Sequence, residues 1–92
     1  MGSIKKAGIW AMQPNRVLLP GTAIGIIQCK HSIDLRAEPC TASERVDIVT
    51  HGSECTFNGK RFICGEMWYR TLRGFWLFSL YVTMDDSTLP FI

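Results

Sequence analysis

From Thr22 onward the apolar positions of the chain recur at short, strand-like intervals. "TAIGIIQC" (22–29) is rich in β-branched residues and reads as a strand, with Gly25 as a bulge. "HSIDLRAEPCTASE" alternates at Ile33 and Leu35, then gives way at Pro39 to a polar loop. "RVDIVTHG" is a further strand that stops at Gly52. "SECTFNGKRFIC" reads as a hairpin turning at Asn58-Gly59, a dipeptide that supplies the positive φ angles of a tight turn. "EMWYRTL" and "FWLFSLYVT" complete the series around a turn at Arg73-Gly74. Between Thr22 and Thr83 no run of ten or more residues keeps an apolar period of 3.6. The pattern therefore predicts no α-helix there, only one short turn near Phe78 to Leu80. Five or six short antiparallel strands predict an all-β domain, a small barrel or sandwich, and a barrel would be filled by Val46, Ile48, Phe57 and Trp76.

The flanks are less regular. Residues 1–21 read as an N-terminal extension in which Ile9-Trp10 and Val17 to Leu19 are apolar, with Pro14, Pro20 and Gly21 as turns. This extension predicts an added edge strand or the end of a preceding domain, with Trp10 as a packing residue. "MGS" reads as an expression leader, so the chain is expected to be one domain of a longer protein. The barrel is assigned to residues 22–84. Residues 85–92 are expected to be a polar C-terminal tail, with Asp85 and Asp86 solvated and pointing to opposite sides.

Composition narrows the class. Ninety-two residues, 47% apolar and 20% charged, suit one small domain with its own core. The net charge of +2 argues against a nucleic-acid partner, whose phosphates call for a dense basic stripe. Lys60, Arg61, Arg70 and Arg73 are the one candidate basic face, set against a simple solvated strand surface. The longest apolar stretch, Phe75 to Met84, has ten residues, about half of a membrane span.

Three segments in register resemble the bacterial-type SH3 family, the SH3b domains found beside cell-wall hydrolases and in signalling proteins. They are "IDLRAEPCTAS" with Ile33, Leu35, Arg36 and Pro39, then Val46, Val49, Gly52, Cys55 and Phe57, then Trp68-Tyr69-Arg70 with Trp76-Leu77 and Tyr81-Val82. The resemblance implies an SH3-like barrel over roughly residues 25–83. Phe75 and Glu38 stand where that family usually has Gly. In the wider SH3 superfamily a Trp and a Pro-Ser-Asn-Tyr turn form the ligand groove. Trp68 and "FSLY" (78–81) are similar to these, although Phe78 in place of Pro argues against polyproline recognition.

No catalytic, cofactor or metal motif competes with that reading. The four cysteines, 29, 40, 55 and 64, contain no C-x-x-C pair, and with His31 and His51 they lack the spacing of a zinc ribbon or finger. A four-residue loop at Asn58 to Arg61 would set Cys55 opposite Cys64, and a two-residue turn would set it opposite Phe62. Cys55 as a buried free thiol is the simpler reading, and it slightly favours a cytoplasmic setting over secretion. His51 and Cys55 could be drawn as a nucleophile pair, but no orienting group or oxyanion pocket accompanies them.

Aromatic surface is the strongest functional signal, with Trp68, Tyr69, Phe75, Trp76, Phe78 and Tyr81 inside fourteen residues. Trp68, Tyr69, Phe78 and Tyr81 are the candidate ligand-binding residues. The expected function is a non-catalytic interaction module that recognises a protein or peptide and targets a larger protein. One alternative is binding of cell-wall peptide; the other is a small secreted β-sandwich effector stapled by disulfides.

Overall fold

A computed structural model describes residues 19–92. What was expected of residues 1–18, including the packing role of Trp10 and an added edge strand, lies outside the described residues. Among the described residues, seven strands form one antiparallel sheet: β1 Ala23–Ile27, β2 Ser32–Arg36, β3 Arg45–Thr50, β4 Glu54–Ile63, β5 Glu66–Thr71, β6 Trp76–Phe78 and β7 Val82–Thr83. Their spatial order is β3-β2-β6-β5-β4-β1-β7, a small barrel-like all-β fold. The sheet has one strand more than the pattern predicts. Its last apolar run is cut by a 3-10 turn at Ser79–Tyr81, which separates β6 from β7.

Side chains from alternate positions meet on one face to form the core. Ala23, Ile27, Leu35, Phe57, Tyr69, Leu77 and Leu89 are all buried there. Phe57 is fully enclosed, and its ring lies 5.6 Å from Tyr69; enclosing such a side chain stabilises a fold by about 1.5–3 kcal/mol. Two of the predicted interior residues sit elsewhere. Ile48 is 52% exposed, because Val46 is the extra residue at a bulge between Leu35 and Arg36. That extra residue lets Val46 and Val49 both pack inward and turns Ile48 out. Trp76 is buried, but on the face opposite the core, in phase with Trp68 and Phe78 and beneath the Arg61 guanidinium at 5.1 Å.

The predicted hairpin at Asn58-Gly59 is a bulge instead. β4 runs on through it for ten residues, and the register against β5 shifts between Phe57 and Gly59. The Asn58 side chain accepts a hydrogen bond from Arg70 Nε at 2.9 Å, and Gly59 leaves room for the Ile92 side chain. The chain reverses at Cys64-Gly65, where both residues have positive φ (52° and 77°), as a two-residue hairpin turn demands. Gly25 is not a bulge either. It pairs regularly with Cys55, and a Cβ there would sit 2.5 Å from Val82 Cγ1. The turns expected at Gly52 and Gly74 are present, with φ of 84° and 89°.

The tail does not leave into solvent. Lys60 N–H donates to the Pro90 carbonyl at 2.9 Å and Ile92 N–H to the Lys60 carbonyl at 2.8 Å, a parallel bridge on the outer edge of β4. Lys60 is buried, with Nζ donating to the Asp86 carbonyl at 2.8 Å and lying 3.7 Å from Asp86 Oδ1. Tyr69 Oη donates to Asp86 Oδ2 at 2.7 Å. Burial, and then this bond, raise the Tyr69 phenol well above its ordinary range. Asp85 does reach solvent; its bond from Ser87 N–H holds its carboxyl below the usual value. A buried lysine thus fixes one of two adjacent aspartates.

β3, at one end of the sheet, has an outward side that needs other partners. Ile48 N–H is met by its neighbour Asp47 Oδ1 at 2.8 Å, and the Thr50 carbonyl by Ser53 Oγ at 2.6 Å. Such local bonds blunt an edge against pairing with another chain.

Candidate functional site

The ladder between β5 and β6 sets Trp68 opposite Phe78. Their rings stack with centroids 5.2 Å apart and planes inclined by 27°. Phe78 is extended, and the 3-10 turn after it brings Tyr81 edge-on to the Phe78 ring at 6.0 Å. These three aromatics line a groove of about 220 Å³. Ile33, Asp34 and Arg36 from β2, with Thr41 from the following loop, complete it. Arg36 braces this polar wall, donating from Nη1 to the Ser43 carbonyl at 2.9 Å and from Nη2 to Asp34 Oδ2 at 3.3 Å. Arg45 lies 3.7 Å from the other oxygen of Asp34.

Trp68 is the floor of the groove rather than a raised platform, since only 2% of it is exposed. Its Nε1 is the one buried side-chain polar atom without a hydrogen-bond partner among the described residues. Leaving such a donor unmet costs about 1–3 kcal/mol. Tyr69, the fourth expected ligand residue, does not join the other three. It follows Trp68 on a strand and so faces the other way, into the core, with its hydroxyl held by Asp86. That alternation was available in the sequence. Ile33, Asp34, Arg36 and Thr41 were missed as groove residues, although three of them lie in the "IDLR" segment already singled out.

A second and larger hollow, about 380 Å³, is lined by Leu35, Cys55, Thr56, Thr71, Leu72, Arg73 and Phe75. It shares no residue with the aromatic groove. Its size exceeds that of the groove, but it offers none of the stacked rings found around Trp68.

Three of the four basic residues are held by close hydrogen bonds, so the four do not act as one cationic face. Lys60 is committed to Asp86, and Arg61 Nε donates to the Ile92 carbonyl at 3.0 Å. Arg70 is held by Asn58, and Arg73 lies 3.7 Å from Asp47.

All four cysteines are free thiols. Cys55 and Cys64 cannot face each other, because they stand at opposite ends of β4. Nine residues of strand separate them by about 30 Å, against the ~7 Å limit for a disulfide. Cys55 is partly buried opposite Gly25, and burial pushes its thiol pKa up. His51 follows β3, and its Nδ1 accepts the Cys29 N–H at 3.3 Å. Among the described residues no group of three His, Cys, Asp or Glu side chains is placed to hold a metal, and no helix is long and apolar enough to cross a membrane.

Comparison of the chain with protein-family models, with curated proteins and with solved structures gives no match.

Proposed function

We propose that this domain is a non-catalytic, SH3-like interaction module that grips an extended peptide in the groove over Trp68. The observation that carries the reading is the pairing of an aromatic groove with an unmet buried donor, Trp68 Nε1, in its floor. Because Nε1 is closed off from solvent, a peptide carbonyl meets it only where the Trp68–Phe78 stack opens on binding. At about 220 Å³ the groove is smaller than the ~300–1,000 Å³ typical of compact small-molecule sites, so it suits a narrow chain. Phe78 and Tyr81 offer broad apolar contact with few rotatable bonds, which keeps the entropy cost of binding low. Arg36 and Asp34 are pinned to each other and stand ready to orient the peptide through charge-assisted bonds.

Selection from a library of random extended peptides on the folded chain tests this. Tyr81→Ala removes a partly exposed ring and is expected to weaken a selected peptide about 30-fold, the equivalent of a ~2 kcal/mol hot spot. Trp68→Phe keeps an aromatic floor but deletes the N–H, and a loss of about fivefold to tenfold is expected. Selected peptides that bind both variants as tightly as the parent would sink the proposal. Including wall-derived peptides in the library makes cell-wall recognition a distinguishable outcome.

A further inference from the structure

We infer that the hollow beside Cys55 is a second binding site, for a small amphiphilic anion. Its apolar body would lie on Leu35, Leu72 and Phe75, and its carboxylate would meet Arg73. This goes beyond the peptide groove and shares no residue with it.

The volume, about 380 Å³, lies within the range of ligand-binding cavities. Its walls are largely carbon. Leu35 belongs to the core, Phe75 is half-buried, and Leu72 is left 58% exposed at the lip. Leu72, Arg73 and Phe75 are carried by the turn between β5 and β6, and that turn is set in advance. Thr71 N–H donates to the Phe75 carbonyl at 2.7 Å, Phe75 N–H to Thr71 Oγ1 at 3.2 Å, and Gly74 N–H to the Thr71 carbonyl at 3.0 Å. A ligand therefore meets a formed lip and spends little on ordering it.

Arg73 gives the site its sign. Among the described residues it is the one charged member of the lining, and no carboxylate accompanies it there. Its guanidinium rests 5.1 Å from the ring centroid of Phe75, itself a lining residue. The pairing with Asp47, 3.7 Å away, joins side chains that are 73% and 48% exposed. Solvated pairs of that kind hold weakly, and most of the five guanidinium N–H donors stay available. Cys55 adds a thiol that burial keeps protonated, and so a wall that remains uncharged.

Decanoate, held below its micelle concentration, is the probe, with decanol and decyltrimethylammonium as neutral and cationic counterparts. The readout is the alkylation rate of each cysteine on the folded chain, resolved by peptide mass mapping. Saturating decanoate is expected to slow Cys55 about tenfold and to leave the exposed Cys40 and Cys64 unchanged. Arg73→Gln, at a side chain that is 73% exposed, is expected to weaken decanoate about tenfold and leave decanol unaffected. The inference is overturned by no protection of Cys55, by equal protection from the cationic counterpart, or by uniform slowing of all four thiols. An Arg73→Gln chain that binds decanoate as before overturns it as well.

Discussion

Replacing Asp86 by Ala should loosen the whole tail, and the cost can be worked from the contacts that are lost. Tyr69 Oη loses an acceptor at 2.7 Å while only 6% of the residue is exposed. A hydrogen bond to a charged group contributes about 1.5–3 kcal/mol. Lys60 loses its counter-charge at 3.7 Å but keeps the Asp86 carbonyl. Because the Asp86 side chain is 34% exposed, water screens this pair, so it adds at most about 1 kcal/mol. The expected cost is about 3 kcal/mol, or a Tm lower by about 15 °C for a domain of this size. Thermal melts of Asp86→Ala, Tyr69→Phe and the double variant measure it, and the two single changes should be strongly non-additive. Asp86→Asn, which keeps an acceptor for the phenol, should recover about half the loss. A Tm within about 3 °C of the parent for Asp86→Ala would refute the reasoning, as would full additivity with Tyr69→Phe. The phenol also sets a pH dependence. Its pKa is raised by the fold, so its contribution is whole below the unfolded value of about 10 and is lost as pH climbs past it. Tyr69→Phe should remove that alkaline decline.

Other substitutions probe separate features. Trp68→Ala empties the stacked floor of the groove and should cost about 3–5 kcal/mol in chemical denaturation, because the ring is buried; a fully stable variant would mean the ring is not packed as described. Gly25→Ala introduces a Cβ against Val82, Phe57 and Met84 where β1 crosses β4 and β7. It should lower stability by about 1–3 kcal/mol, and a neutral result would contradict that close approach. Cys64→Asn suits the positive φ of the hairpin turn and should raise stability by about 0.5 kcal/mol, a gain absent if the chain turns at Asn58-Gly59. Alkylation of the folded chain should modify Cys40 and Cys64 first and find no disulfide; a bridge between Cys55 and Cys64 is incompatible with an unbroken β4.

Local chemistry explains what the sequence disclosed. Strands β1, β3 and β5 were legible because their β-branched and aromatic runs end at Gly or at polar turns, and Gly52 and Gly74 serve as those turns. The hairpin was misplaced because Asn58-Gly59 carries a strong local turn signal whose outcome depends on residues far away. Asn58 instead holds Arg70, and Gly59 makes room for Ile92, more than thirty positions later. The tail was read as solvated for the same reason, since nothing near Asp86 announces Lys60. In the candidate site, Trp68, Phe78 and Tyr81 stood out as an aromatic set. Tyr69 was misassigned by counting residues where strand alternation already separated its face from that of Trp68. The polar wall escaped because β2 reaches β6 through one register pair, Arg36 with Trp76, which no local pattern encodes.

The strand order carries a consequence for the time course of folding. β4 and β5 are joined by a two-residue turn and β2 and β3 by the loop of residues 37–44, so both hairpins close locally, on the microsecond scale. β1 has no such neighbour. It lies between β4 and β7, pairing Ile27 with Val82, and Thr88 Oγ1 reaches back to the Thr22 carbonyl across 66 positions. Each of these contacts requires a long loop to be closed before any burial rewards it. Assembly therefore ends where the segments around Thr22 and Thr88 meet, with β1 and the segment after β7 sealing a core whose hairpins already stand. A topology ruled by such distant pairs folds in milliseconds to seconds rather than microseconds. Until that last step is complete, Phe57 and Ile27, which with Leu77 are wholly enclosed among the described residues, remain open to water.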